Sequence, residues 1–550
     1  YKLQTGDIVG IYMPKSTMQV ACELALAYMN IPFIPLDYAL PKEAIEYCIK
    51  NIGIKMLITD LTSELDCIQK FGMQLLRMGS TVSDYCEDTE YIQPLRNEIM
   101  ILINTSGTTG FPKTVKLEKE GIINCIQMSS NIFGITANDV IFNLTNYSHD
   151  MSIFDILGMS YIGGTIVIPD QKNYKNPDIW VDLMTKYAVT VWNSVPAFLE
   201  MLILVEKDKL KKALKNLKVV IQGGDYLQVA TVKKIKEINQ KCRVFNVGGP
   251  TETTIWNIYH EVSYADILEG KIPYGKPFPN TQYFILGKDM QLCPIGKEGV
   301  MYIAGEGVSP GYVGQDGQEK FMQYKDTRVY NSGDCGKYLE NGEILFLGRK
   351  DRQVKINGRR IELDGIEKVM NSIEGVGSAA VIFQKRQKRI AAFYTTCANI
   401  KEKDIRDELA KQLPNDMLPT HIYRLSNMPI NRNGKIDRKE LERYLVPKKM
   451  DIQLESSKFE KELVLICQEI FWENEINLKD DFYAMGADSV SAMRIAAKVK
   501  SQFGIKLSPY DIFKHPNIQE LARYISKLKG ELNADGEKSS SSTREYKGNI

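Results

Sequence analysis

The sequence predicts three successive units: a large α/β unit, a smaller α+β unit and an all-α unit. Residues 1–348 alternate short apolar runs with amphipathic stretches, which is typical of an open α/β sheet. Residues 349–446 follow a polar break and contain a shorter mixture of both patterns. Residues 458–528 show helical periodicity throughout. We therefore expect two sheet-containing units before a helical one.

Two polar stretches separate and end these units. Residues 447–457 are predicted to be a linker, and residues 529–550, which include a run of four serines, a disordered tail. Inside the helical unit, Val490, Met493 and Ala497 follow one another at helical spacing. We expect these three side chains to share one face of a helix.

Composition excludes several classes of protein. The chain has 550 residues with 44% hydrophobic content, which is ample for several cores, and a net charge of only +2. That charge gives no electrostatic case for nucleic acid or membrane as a partner, and no apolar run is long enough to span a bilayer. The 10 cysteines form no C-x-x-C pair and the 4 histidines are scattered. This pattern favours reduced thiols in a cytoplasm over disulfides or a zinc site.

Two predicted strands of the large unit end in glycine-containing loops. Residues 219–221 precede Gly223, and residues 243–245 precede Gly248 and Gly249. In open α/β sheets the ligand binds at the carboxyl ends of the strands. We therefore expect the binding site at this edge of the sheet.

A polar loop after the apolar run 99–103 has the composition of an anion-binding segment. Glycines let the backbone approach closely, hydroxyl and N–H groups donate hydrogen bonds, and a lysine adds positive charge. The spacing differs from the usual P-loop, which has a glycine directly before its lysine. A surface loop without a ligand remains the alternative. The residues expected to hold phosphate oxygens are Thr105, Ser106, Gly107, Thr108, Thr109, Gly110 and Lys113.

Further motifs follow this loop in a fixed order. They are 246–252 (NVGGPTE), 331–334 (NSGD), 348–355 (GRKDRQVK), 433–438 (NGKIDR) and 481–489 (DFYAMGADS). The ordered set resembles the adenylation domains of nonribosomal peptide synthetases, followed by a peptidyl carrier domain. The resemblance implies an N-terminally incomplete adenylation core, a mobile α+β C-terminal subdomain and a four-helix carrier. It also implies that the chain is a fragment of a larger synthetase, with a condensation or cyclisation domain upstream.

The resemblance assigns ATP, Mg²⁺ and 4′-phosphopantetheine as cofactors, and it assigns residues to them. Lys435 and Lys113 would be catalytic cations, and Glu252 would bind magnesium, which prefers carboxylate oxygen. Asp351 would be the hinge about which the small subdomain rotates. Ser489 would carry phosphopantetheine, because a helix N-terminus favours a phosphodiester. Further nucleotide-binding residues would be Gly249, Thr251, Asp334 and Arg349.

Each of these assignments has a simpler alternative. Glu252 could be a helix N-terminal carboxylate, Asp334 a turn former and Arg349 a surface arginine. Lys435 could be a solvated turn lysine, and Ser489 a helix N-cap. The ordered set of motifs favours the functional interpretation in each case.

The residues expected around the substrate favour an α-amino acid. Asp150 resembles the family aspartate that pairs with the α-ammonium group. Asn193 is the one neutral polar group of the pocket with donors and acceptors, which suits a short polar side chain. An aliphatic substrate, with Asn193 bonded to the backbone instead, is the alternative. The surrounding sequence resembles cysteine-activating domains, whereas Ile221 and Gly223 are more similar to those of threonine activators; we favour cysteine over threonine, serine or glycine. The pocket residues carried over are Asp150, Met151, Phe154, Asn193, Ile221, Gly223, Val247, Ile255, Trp256 and Lys435.

The chain departs from the family at several positions. Gly248 stands where an aromatic residue that stacks on adenine is usual, so either another residue covers that face of the base or ATP binds less tightly. Thr114 and Asp364 each replace a usual glycine, and none of these changes removes a catalytic group.

Partners and competing functions also follow from the resemblance. The expected partners are a phosphopantetheinyl transferase, neighbouring synthetase domains and, where one is needed, a small accessory activator protein. Two competing functions stay open: an acyl-CoA ligase of the same superfamily, against which Asp150 and Ser489 argue, and a catalytically silent scaffold, against which Lys113, Glu252 and Lys435 argue.

Overall fold

The chain divides into two compact units, described here separately. The first comprises Tyr1–Glu374 and Lys403–Leu418, and the second comprises Gly375–Glu402 and Pro419–Ile550. No helix among the residues described is long and apolar enough to cross a membrane. The structure is a computed structural model that describes residues 3, 6–38, 42–60, 74–78, 99–105, 113–171, 174, 176–314, 317–349, 352–356, 359–384, 389–396, 400–425, 427–429, 436–445, 458–471, 476–482, 485, 487 and 489–541.

The first unit begins with a seven-stranded sheet of mixed direction. The predicted strand at 99–103 is confirmed as Ile99–Thr105, and its central residues are buried. It pairs antiparallel with the strand Lys113–Glu118, so the predicted phosphate loop connects the two. In spatial order the strands are Gly311–Tyr312, Lys113–Glu118, Ile99–Thr105, Phe33–Pro35, Ile8–Tyr12, Ile54–Asp60 and Gln74–Met78.

A second seven-stranded sheet carries the strands predicted at 219–221 and 243–245. These are confirmed as Val219–Gln222 and Arg243–Gly248, and they run parallel. Their side chains are mostly apolar and buried, as expected where helices cover a sheet. The spatial order is Lys276–Pro277, Ile258–Glu261, Arg243–Gly248, Val219–Gln222, Val191–Ser194, Val140–Asn143 and Thr165–Val167.

An antiparallel sheet and a separate hairpin follow along the chain. In the sheet, the strands Thr281–Leu286, Gly299–Gly305, Thr327–Tyr338 and Phe321–Tyr324 lie in this order, and Ile344–Arg349 also pairs with Thr327–Tyr338. The last of these strands continues through the polar break expected at residue 348. The hairpin joins the strands Gln353–Ile356 and Arg359–Glu362.

Helices connect the strands of the first unit. The helix Thr17–Tyr28 begins after Ser16, whose hydroxyl accepts a hydrogen bond from the Gln19 N–H at 3.3 Å and so satisfies a free end group. One helix is continuous from Met151 to Ile162 and contains a π-helical turn at Phe154–Gly158. The others are Lys42–Ile52, Lys119–Phe133, Pro177–Lys186, Pro196–Leu202, Lys207–Ala213, Val229–Ile238, Tyr264–Glu269 and Leu363–Ser372, with single 3₁₀ turns at Leu214–Asn216, Thr251–Thr253, Gln318–Lys320 and Asn415–Met417.

The second unit contains a three-stranded sheet. The strand Ser378–Gln384 contains the alternation predicted at 379–383 and pairs antiparallel with Arg389–Thr395. The strand His421–Arg424 lies parallel on its other side. The helix Arg438–Tyr444 contributes Leu441 to the apolar cluster on this sheet. The helix Glu402–Gln412 lies at the boundary that divides the chain into its two units.

Four helices end the second unit, as predicted for the all-α region. They are Lys458–Phe471, Ser489–Phe503, Pro509–Lys514 and Ile518–Ser541, and they share one apolar core. Met493 and Ala497, two of the three residues expected to share a face, are partly exposed, and the side chain of Val490 lies outside the described residues. Within that helix the core residues are Ala492, Ile495, Ala496 and Val499, which have the same three-and-four spacing and therefore fit the pattern equally well.

Part of the segment predicted as a disordered tail is helical, and residues 542–550 lie outside the described residues. The last helix continues past residue 528 to Ser541. Residues 529–541 include lysine, glutamate, leucine and alanine, which favour helix when a packed helix already provides the first turns.

Candidate active site

The predicted pocket residues lie at the carboxyl edge of the second sheet. The strands Val191–Ser194, Val219–Gln222 and Arg243–Gly248 run side by side, and Ile221 is the register partner of Asn193. Parallel strands end at the same edge, so residues distant in sequence meet there. The predicted pocket side chains are buried at Met151, Phe154, Asn193, Ile221, Val247, Ile255 and Trp256.

Gly223 is required by the close approach of two pocket side chains. A Cβ atom at this position would lie 2.9 Å from Val247 Cγ2 and 3.4 Å from Met151 Sδ. Behind them, the rings of Phe154 and Trp256 have centroids 5.3 Å apart. These bulky groups fill volume, which is consistent with a small substrate side chain.

Asp150 is a buried carboxylate with both oxygens engaged. His149 Nδ1 lies 3.0 Å from Oδ1, and the Thr251 hydroxyl donates to Oδ2 at 2.6 Å. The side chain is thereby held in one orientation next to Met151, at the start of the helix. Thr251, which the sequence assigned to the nucleotide, contacts Asp150 in this structure.

The two ends of the Asn193 amide group differ in their hydrogen bonding. Its Nδ2 donates to Asp155 Oδ1 at 2.7 Å and to the Met151 carbonyl at 3.4 Å. Its Oδ1 is buried and has no hydrogen-bond partner among the residues that the structure describes. A buried acceptor without a donor is costly, so a donor supplied by a ligand would be favoured.

A buried ionic network behind Asn193 was missed in the sequence. Burial raises the pKa of Asp155, although Asn193, Lys15 and Asn143 oppose the shift. Lys15 donates to the Thr145 carbonyl at 2.9 Å, and burial lowers its pKa. The sequence signal that could have revealed this network was single charged residues within apolar runs.

The described ends of the phosphate loop are Thr105 and Lys113. They are register partners, and the Thr105 hydroxyl donates to the Lys113 carbonyl at 3.2 Å. Lys113 Nζ lies 5.8 Å from the ring centroid of Tyr312. The remaining loop residues, Ser106, Gly107, Thr108, Thr109 and Gly110, lie outside the described residues.

Glu252 is ionised and tightly held. Arg360 contacts both of its carboxylate oxygens at 2.9 Å, and the Tyr312 hydroxyl donates to Oε1 at 2.5 Å. Burial alone would raise its pKa, but Arg360, Tyr312 and Tyr330 lower it to about 2. An ionised carboxylate is a suitable magnesium ligand, although Arg360 occupies both oxygens in this arrangement. Among the described residues, no group of three or more acidic, cysteine or histidine side chains could hold a metal alone.

Asp334 and Arg349 form an ion pair at the predicted ribose site. They are register partners on adjacent strands, and the Arg349 guanidinium donates to the Asp334 carboxylate. Arg349 also donates to the Ser332 carbonyl at 3.0 Å. Arg349 is therefore not the exposed arginine of the alternative interpretation.

The hairpin 353–362 brings two basic residues to the site that the sequence analysis did not assign. Lys355 and Arg360 are cross-strand partners, so they project to the same face. Burial lowers the pKa of Lys355, while Asp334 and Asp150 act in the opposite direction. The sequence signal for this pair was two basic residues at facing positions of a short hairpin.

Three predicted residues cannot be compared with the structure. Lys435 and Asp351 lie outside the described residues. Ser489 is the first residue of the helix Ser489–Phe503, as a phosphopantetheine-bearing serine would require, and its side chain is not described. The roles of all three stay predictions.

Comparison with known families matches three segments of the chain. Residues 2–313 match the family described as AMP-binding enzyme, and residues 365–435 match the AMP-binding enzyme C-terminal domain. Residues 464–525 match the family described as phosphopantetheine attachment site. These families confirm the expected cofactors, namely ATP with Mg²⁺ and 4′-phosphopantetheine.

Two curated relatives are similar over nearly the whole chain. Polyketide synthase PksN of Bacillus subtilis is 31% identical over 95% of this chain and 10% of its own length. Tyrocidine synthase 1 of Brevibacillus parabrevis is 31% identical over 95% of this chain and 48% of its own length. The chain thus spans half or less of these relatives.

Solved structures share the fold. Holo-PA1221, a nonribosomal peptide synthetase protein with adenylation and carrier domains, aligns with a TM-score of 0.78 at 21% identity, over 95% of this chain and 88% of that one. The artificially fused didomain NpsA-ThdA from Klebsiella oxytoca aligns with a TM-score of 0.65 at 22% identity, over 95% and 90%. The chain belongs to the AMP-binding enzyme family, as a nonribosomal peptide synthetase adenylation domain joined to a phosphopantetheine carrier domain.

Proposed function

We propose that this chain activates an α-amino acid with ATP as the aminoacyl-AMP and loads it as a thioester onto its own carrier domain. The observation that carries the proposal is the oriented, buried carboxylate of Asp150 beside the side chains of Met151 and Val247, which approach Gly223 closely. A carboxylate in such surroundings suits the ammonium group of an amino acid. A fatty or aryl acid has no cation that would compensate its burial.

The nucleotide is held from two sides. Lys113 and Thr105, with the loop between them, bind phosphate oxygens, and Asp334 accepts hydrogen bonds from the ribose hydroxyls beside Arg349. Glu252 would hold magnesium if Arg360 left its oxygens, and the metal would neutralise charge at the phosphates.

The second group of roles rests on the family resemblance. Lys435 stabilises the charge that develops on the α-phosphate and on the substrate carboxylate. Asp351 is the hinge between the adenylating and thioester-forming arrangements. Ser489 would carry phosphopantetheine, and this arm would supply the thiol that accepts the aminoacyl group as a thioester while AMP is released.

Cysteine is the proposed amino acid, ahead of threonine, serine and glycine. The unpartnered Oδ1 of Asn193 accepts a hydrogen bond from a short side chain with a donor, such as a thiol or hydroxyl. Met151, Phe154 and Trp256 leave little room for a longer one.

The proposed setting is a larger synthetase in a cytoplasm. Its partners are a phosphopantetheinyl transferase, neighbouring domains such as an upstream condensation or cyclisation domain, and, where one is needed, a small accessory activator. The chain spans only part of its relatives, so the final peptide product is not assigned.

The test is ATP–pyrophosphate exchange across all proteinogenic amino acids. Exchange with cysteine alone is the expected result, and Asp150→Asn is expected to abolish it. Exchange with threonine, serine or glycine would retain the activity and overturn the side-chain assignment. Turnover only of a fatty or aryl acid with free coenzyme A would indicate an acyl-CoA ligase. Silence with every acid, together with no binding of ATP, would favour a scaffold.

A further inference from the structure

The ring of Tyr274 lies directly against the backbone of Gly248. A Cβ atom at Gly248 would lie 2.0 Å from Cε2 of this ring and 2.4 Å from both Cζ and the hydroxyl oxygen. Only glycine fits at this position while Tyr274 keeps its place. The tyrosine therefore fills the space into which a side chain at residue 248 would project.

The backbone that carries Tyr274 is fixed on both sides. The Tyr274 N–H donates to the Ile344 carbonyl at 2.9 Å, and the Ile344 N–H donates to the Gly275 carbonyl at 2.7 Å. Gly275 has a φ of +110°, and a Cβ there would lie 1.9 Å from the Tyr259 carbonyl oxygen. The segment has little freedom to shift, so the ring is pre-positioned.

The surroundings of Tyr274 are those of the proposed ribose site. Burial raises the pKa of its hydroxyl, the nearby charge of Asp334 adds to the shift, and Arg349 acts against it. Gly249 and Tyr283 also act against the shift, and the phenol stays neutral. The ring of Phe346, which is 43% exposed, has its centroid 5.6 Å away.

We infer that Tyr274 is a nucleotide-binding residue whose ring stacks on the purine base of ATP. Its ring lies against the backbone of Gly248, next to the nucleotide-binding candidate Gly249, and its N–H is bonded to the strand that ends at Arg349, so a nucleotide bound at Asp334 and Arg349 would meet an aromatic ring here. Aromatic rings bind bases by stacking, and this interaction needs no charge. The inference rests on the proposed function, because it presumes that ATP binds at Asp334.

The test of this inference distinguishes binding of the base from binding of the phosphates. Dissociation constants for ATP and for inorganic tripolyphosphate, which lacks a base, are measured by calorimetry for the wild type and for Tyr274→Leu. The variant is expected to bind ATP roughly 5- to 100-fold more weakly, with tripolyphosphate affinity unchanged. Tyr274→Phe keeps the ring and should bind ATP as the wild type does. Tyr264→Leu, at an exposed tyrosine elsewhere in this unit, is the matched control.

Each of the other outcomes would overturn the inference, or both the inference and the proposed function. Unchanged ATP affinity in Tyr274→Leu would overturn the inference and leave the proposed function standing. Equal loss of both ligands would assign Tyr274 a structural role and overturn it as well. A wild type that binds no ATP would overturn both statements. If Tyr274→Leu does not fold, Gly248→Ala decides, because its added methyl displaces the ring; unchanged ATP affinity there would again contradict the inference.

Discussion

The guanidinium of Arg360 contacts both carboxylate oxygens of Glu252, each at 2.9 Å. Glu252 is the proposed magnesium ligand, so in this arrangement the arginine stands where the metal would bind. Arg360 comes from the hairpin 353–362, which also carries Lys355, a residue whose pKa is influenced by Asp334 and Asp150. The hairpin and the metal therefore compete for the same carboxylate.

Arg360→Gln is expected to destabilise the metal-free protein and to strengthen magnesium binding. Removing one partner of a buried ion pair typically costs about 3–5 kcal/mol, because the remaining charge is left unpaired. We expect a lower melting temperature without ligand and a larger rise on adding Mg²⁺ with ATP than in the wild type. Thermal unfolding with and without Mg²⁺ measures both effects.

The matched control is Lys209→Gln, which removes a half-exposed pair with Asp178 at 3.7 Å. Such surface pairs contribute about 0–1 kcal/mol, so this variant should behave as the wild type does. An Arg360→Gln protein with unchanged melting temperature and unchanged response to Mg²⁺ would contradict the competition between the hairpin and the metal.

Thr251→Val tests whether Thr251 serves the nucleotide or the amino acid. Its hydroxyl donates to Asp150 at 2.6 Å, and a hydrogen bond to a charged group contributes about 1.5–3 kcal/mol. We expect the KM for the amino acid to rise by roughly tenfold or more, with the KM for ATP unchanged. Thr251→Ser, which keeps the hydroxyl, should retain both values. A rise in the KM for ATP alone would restore the nucleotide role predicted from the sequence.

Much of the site could be predicted because it follows local patterns. The strands ending near Gly223 and Gly248 were recognisable from apolar runs followed by glycine, and the parallel pairing places Asn193 beside Ile221. The ordered motifs then identified the family. The positions of Asp334 and Arg349 could also be anticipated, since both come from recognisable motifs, although their direct ion pair could not.

The remaining contacts depend on residues that only the fold brings together. Arg360 and Glu252 are separated by 108 positions, and no local pattern pairs them. Tyr274 covers Gly248 because the antiparallel strands turn the chain back. The buried face of the carrier helix has another cause: more than one set of its apolar residues has helical spacing, so only packing against the other helices selects Ala492, Ile495 and Val499.

Ser489→Ala is expected to separate the two half-reactions. Exchange should stay at the wild-type level, because the adenylate forms without the carrier arm. Treatment with coenzyme A and a phosphopantetheinyl transferase should then add no mass, and no thioester should form. Intact-protein mass spectrometry measures both steps. Ser491→Ala, two positions along the same helix, is the matched control and should be modified as the wild type is; addition of the arm to Ser489→Ala would contradict the assignment.

Glu23→Gln is expected to stabilise the protein, increasingly as the pH rises. Burial raises the pKa of this carboxyl from 4.5 to about 8, while a hydrogen bond from Gln19 and the charge of Lys15 act against the shift. Between these two values the unfolded chain ionises and the folded chain stays protonated, so the unfolded state binds fewer protons. Wild-type stability therefore falls across this range through Glu23, and the variant lacks that loss.

Urea unfolding at pH values of about 5, 6, 7 and 8 measures the difference in stability between the variant and the wild type. We expect the free energies of unfolding to be similar near the low end, and the variant to exceed the wild type by a few kcal/mol near the high end. Glu237→Gln, at an exposed glutamate of the same unit, should follow the wild type throughout. A Glu23→Gln curve parallel to the wild type would mean that the Glu23 carboxyl ionises in the folded protein as it does in the unfolded chain.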